Sequence, residues 1–174
     1  MSEKKFEPEI AKLSEFLSIT NEESDRGAAL ASAAMLDERL KDILLSFLAD
    51  VPARRDLLEG FNAPIGTFSA RCSAAYALGL LEENEFQEIT LIRKIRNEFG
   101  HSWTDARFDR GRVADLTANL PWLGPKEHEA EATPRARFNF AVAILLTDLL
   151  WRARLVSRER RTIRKWPNKS GMAR

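Results

Sequence analysis

The sequence predicts an all-α, single-domain helical bundle of about four to five long helices plus short helices. Three observations lead there. The 174 residues include only 8 Gly and 7 Pro, and Ala, Leu, Glu, Arg and Lys dominate, a composition that favours helix over strand. Apolar residues recur at i, i+3, i+4 over several long stretches, and no stretch alternates as a half-buried strand would. At 44% apolar, a chain of this length builds one sizeable core without a second domain.

In chain order, Phe6, Ile10, Leu13, Phe16 and Leu17 mark a short amphipathic helix that docks on the body, with residues 1–20 as its unit. A polar break at Thr20–Asn21 precedes a core helix from about Ser24 to Leu48, carrying Ala29, Ala33, Leu36, Leu40, Ile43, Leu44 and Leu48 on one side. Its first half, AALASAAM, is small enough for another helix to approach closely. Pro52 permits a short helix that stops at Gly60, and Asn62, Pro64 and Gly66 form a turn. Thr67 or Ser69 caps the next helix, whose buried side is expected to carry Phe68, Cys72, Tyr76 and Leu80. Gly79 ends it, and EENE opens a helix over Phe86–Phe99. A short helix is expected around Arg112–Leu120, then a loop at Pro121, Gly124 and Pro125 that leaves His128 exposed. Thr133–Pro134 opens a long terminal helix, apolar through Val156 and basic beyond.

The stretch LIRKIRNEFGH, Leu91–His101, carries the most specific chemistry. Leu91, Ile92, Ile95 and Phe99 form a buried stripe, Arg96 sits on its border, half covered, and Arg93, Asn97 and His101 follow at i, i+4, i+8 on the adjoining face. Gly100 is expected to stop the helix directly before the histidine.

The net charge of +1 hides an asymmetry, since nine Lys or Arg stand against Glu159 alone from Arg152 onward. This basic tail, residues 158–174, includes Arg158, Arg160, Arg161, Arg164, Lys165 and Trp166. Cations beside an indole suit phosphate contact and base stacking, so RNA or DNA is one candidate partner; a solvated helix end is the alternative. No helix-turn-helix pattern is present, which argues against operator reading by the chain alone. No apolar run approaches the roughly 18 residues of a membrane span, and the N-terminus lacks the apolar core of a signal peptide, so a cytoplasmic protein with no membrane partner is expected. Cys72, a lone cysteine in an apolar helix, reads as a core residue. No metal site and no cofactor are expected.

The run APIGTFSARCSAAYALGLL (Ala63–Leu81), with LLEG at Leu57–Gly60 before it and LIRKIRNEFGH after it, resembles the mannitol operon repressor (MltR) family. The resemblance covers about residues 20–160, which sets an MltR-like helical domain at 21–157. It implies an all-helical fold and a role in transcriptional repression of sugar-alcohol uptake. The family has no recognised DNA-binding motif of its own, so the resemblance also implies a protein partner such as a transcription factor. A homodimer is expected.

Arg96-Asn97-Glu98-Phe99-Gly100-His101 also resembles the Arg-x4-His signature of HEPN domains, many of them metal-independent ribonucleases. That resemblance implies His101 for proton transfer, Arg96 for the scissile phosphate and Asn97 to orient either. In a continuous helix Arg96 and His101 point about 140° apart, so such a site needs a helix break at Gly100 or two chains sharing residues. The structural alternative makes Arg96 a clamp paired with an acid and His101 a helix-end cap. Arg71 either lines the same pocket or pairs with an acid, and Arg93 belongs with the binding candidates.

Overall fold

The computed structural model describes residues 7–101 and 106–167. It is a single-domain, all-helical bundle, with no strand among the described residues. The helices are α1 (Pro8–Glu22), α2 (Asp25–Phe47), α3 (Ala53–Leu58), α4 (Phe68–Ala77), α5 (Glu83–His101), α6 (Gly111–Ala118), α7 (Pro134–Asp148) and α8 (Arg152–Val156), with 3-10 turns at Lys126–Glu131 and Ser157–Glu159. Helix α2 is the axis, packing against α1, α3, α4, α5, α7 and α8.

Helix starts follow local chemistry. Ser24, Thr67 and Thr133 accept from the amides of Gly27, Ala70 and Ala136 at 3.0–3.2 Å, each capping the helix that follows it. Helix α4 ends in a Schellman turn: Gly79 takes φ +71°, its amide donates to Tyr76 O, and Leu80 N donates to Ala75 O. At α5, Glu85 reaches back to accept from Glu82 N at 2.8 Å.

The core joins the apolar stripes of α2, α5 and α7. Leu36, Leu40, Ile43 and Leu44 meet Ile89, Ile92, Ile95 and Phe99 and, from α7, Phe138, Val142 and Leu145. Phe108 packs edge-on to Phe99 at 5.0 Å and tilted on Phe138 at 4.8 Å, sealing the α6 side. Helix α1 lays Leu13 into the core, with Ile10, Phe16 and Leu17 half-covered beside it; Phe6 lies outside the described residues.

Two guanidiniums tie distant segments together. Arg135 on α7 pairs with Asp25 at 2.8 Å and donates to Glu23 O at 2.6 Å, closing the end of α1, while the other Asp25 oxygen accepts from Phe108 N. Arg152 binds buried Glu85 through both nitrogens, at 2.7 and 3.1 Å, and donates to Leu80 O at 2.9 Å.

Four expectations need correction. The terminal helix is not continuous: α7 ends at Asp148, and Leu149–Trp151 form a turn before α8. Four leucines, Leu145, Leu146, Leu149 and Leu150, are all buried there, and the turn brings Arg152 to Glu85 and Leu80. From Arg160 to Pro167 the chain has no helix or other regular secondary structure. Tyr76 lies outside the core, 38% exposed and stacked on Phe86 at 4.3 Å, because Arg71, Cys72 and Ala75 take the inward face of α4. Gly100 does not stop α5, which runs through His101 without a left-handed residue.

Glu85→Ala strands Arg152 and removes a cap, which should cost about 3 kcal/mol in denaturant unfolding. The double variant Glu85→Met/Arg152→Met should recover part of that loss, since it removes both charges. Glu88 is buried near Asp148 and Glu85, and burial first, then these two carboxylates, raise its pKa. A raised carboxyl contributes stability below its unfolded value of about 4.3 and loses that contribution as pH rises through its folded value. Glu88→Gln should therefore melt higher than the parent at pH 7, with the gap closing toward pH 4.

Candidate functional site

The side of α5 that faces α2 and α4 carries Arg93, Arg96 and Asn97, one turn apart at i, i+3, i+4. They line an open groove of about 450 Å³. Its α2 wall is Leu30, Ala33, Ala34 and Asp37, and its α4 wall is Thr67, Phe68 and Ser69. The space exists because α2 presents alanine there: Ala33 is buried at the packing line, while Ala34 projects too little to fill the cleft.

Arg71 sits beneath this groove as a clamp. Its guanidinium pairs with Asp37 at 2.8 Å and donates to Leu58 O at 2.8 Å, joining α4 to α2 and to the end of α3. Of the two expectations for Arg71, the structure shows the ion pair. Burial pushes the nearby Cys72 thiol up, against a hydrogen bond with Thr90 and the charge of Arg93, so Cys72 stays a neutral core residue.

Arg96 is exposed rather than half covered, and its Nη1 donates to Asn97 Oδ1 at 3.1 Å. No acid clamps it among the described residues. The acid beside it, Glu98, faces away and pairs with Arg112 of α6 at 3.2 Å. His101, the last residue of α5, is exposed and is not among the groove residues. Arg96 and Asn97 therefore share the groove with Arg93, while His101 lies outside its lining, one helical turn beyond Asn97.

The basic tail divides in two. Arg160 donates from Nε to Ser46 O at 3.0 Å and lies 3.7 Å from Asp50. The Arg161 amide donates to Phe47 O at 2.8 Å, and its guanidinium lies over the Phe47 ring at 6.0 Å. These two cations serve the open carbonyl end of α2. Arg158 is exposed beside Trp151, Arg154, Leu155 and Glu7. Arg164, Lys165 and Trp166 are exposed, the indole at 79%; residues 168–174 lie outside the described set.

Asp37 and the groove role of Thr67, Phe68 and Ser69 were not legible in the sequence. The signal for them was the alanine run of α2, which marked close approach but not which alanine would be left uncovered. Among the described residues no cluster of His, Cys, Asp and Glu could hold a metal ion, and no helix is long and apolar enough to cross a membrane.

No family model and no curated protein matches this chain. A search of solved structures finds a chain of the X-ray structure of the MtlR-HPr complex from Escherichia coli. It superposes with a TM-score of 0.54 at 21% sequence identity, over 86% of this chain and 98% of that one. The likeness establishes a shared fold, and that fold is MltR-like.

Proposed function

We propose that this protein is an MltR-like cytoplasmic regulator that acts as a homodimer through contact with a protein partner, repressing its target with that partner's help. The observation that carries the reading is the fold likeness, which takes in nearly the whole of a chain found in complex with HPr. A second feature supports a protein-binding role. Phe140 and Ile144, four apart on α7, and Trp151 and Leu155, four apart across the turn into α8, form two apolar pairs that are between 36% and 53% exposed. Exposed apolar surface of this kind is what partner proteins cover.

The ribonuclease reading has less support. With α5 unbroken at Gly100, a catalytic pair of Arg96 and His101 requires the histidine of a second chain. Tail binding to nucleic acid is weakened too, because Arg160 and Arg161 are engaged at the end of α2.

Calorimetric titration with purified HPr tests the proposal: saturable binding is expected, and Ile144→Asp should weaken either this binding or the homodimer at least tenfold, about 1.4 kcal/mol. Absence of binding together with an indifferent Ile144→Asp variant would overturn it. In parallel, structured RNA incubated in EDTA should remain intact. Cyclic-phosphate ends that vanish in His101→Ala would put the ribonuclease reading in its place.

A further inference from the structure

In the groove between α2, α4 and α5 the charges do not balance. Arg54, Arg71, Arg135 and Arg152 are partly buried, and each reaches a carboxylate at 2.7–2.8 Å. Arg93 is partly buried too, yet it makes no hydrogen bond or ion pair among the described residues. A guanidinium that has given up part of its water without gaining a counter-charge is held at a cost, and an anion placed against it removes that cost.

Three neighbours sharpen this. Arg96 lies one turn along the same helix and lines the same groove, so two like charges converge. Asp37, the acid in the lining, is already bound to Arg71. Phe68 and Ser69 belong to the first turn of α4, where backbone amides have no intrahelical acceptor. Opposite the cations, Leu30, Ala34 and Phe68 give an apolar wall. The volume, about 450 Å³, falls within the span of small-molecule pockets.

We propose that this groove is a binding site for a small organic phosphomonoester. The phosphate dianion matches the two guanidiniums, which recognise it by paired, charge-assisted hydrogen bonds. The organic group lies against Leu30, Ala34 and Phe68. A lone carboxylate would leave one of the two charges uncompensated.

The test is a titration of the full chain with inorganic phosphate and with phenyl phosphate at constant ionic strength, followed by amide NMR shifts. Saturable binding is expected for both probes, with phenyl phosphate at least threefold tighter because its ring meets the apolar wall. Arg93→Gln and Arg96→Gln should each weaken binding about tenfold or more. Arg93→Gln should leave the melting temperature unchanged or raise it, since no ion pair is lost and an uncompensated charge is removed. Ala34→Leu fills the groove without touching a charge and should weaken phenyl phosphate most, whereas Arg164→Gln/Lys165→Gln should bind like the parent. Absence of saturable shifts beyond an acetate control, or equal affinity in Arg93→Gln, Arg96→Gln and Ala34→Leu, would overturn the site. Equal affinity for the two probes would overturn the monoester assignment.

Discussion

Ala28, Ala29, Ser32 and Ala33 bring four side chains no longer than a hydroxymethyl group to the buried face of α2, and much of the architecture depends on that lack of bulk. Helices α4 and α5 pack against this helix together, because little stands between the backbones. The bulky half of α2, Leu36 to Leu44, then fills the volume where the helices diverge. The same economy of side chain continues one residue onto the surface at Ala34. There no neighbour closes the space, and the groove flanked by Arg93 and Arg96 is the result.

Around this apolar axis the charged groups act as long-range ties. Asp25 with Arg135, Asp37 with Arg71 and Glu85 with Arg152 each span more than thirty positions in the chain, and each guanidinium also satisfies a backbone carbonyl at a helix end or turn. These carbonyls have no partner within their own helices, so the arginines complete the backbone accounting as well as the charge. Arg160 and Arg161 repeat the pattern at the end of α2. A good part of the positive charge concentrated late in the sequence is thus absorbed by the body.

What was legible in the sequence, and what was not, divides by the range of the forces. The bounds of α2, the caps at Thr67 and Thr133 and the glycine turn at Gly79 depend on residues within a few positions, and periodicity and capping chemistry placed them closely. The turn at Leu149–Trp151 depends on Glu85, more than sixty residues away, and nothing local announces it. Tyr76 looked like core by spacing alone, but the face it was assigned to is set by Arg71 finding Asp37. For the groove, the cations of α5 were visible as a cluster. The angle between Arg96 and His101 followed from the helix continuing, and the company of Asp37, Phe68 and Ser69 came only from the packing of three helices.

Gly100 deserves its place in any account of α5. It adopts ordinary helical geometry with open space where a Cβ would stand, so alanine would fit, and glycine there costs the helix roughly 1 kcal/mol. Glycine therefore loosens the last turn of α5, which Phe99 holds to the core against Phe108. Loss of that one turn would swing the imidazole of His101 through a wide arc while Ile92 and Ile95 keep Arg93 and Arg96 anchored over the core.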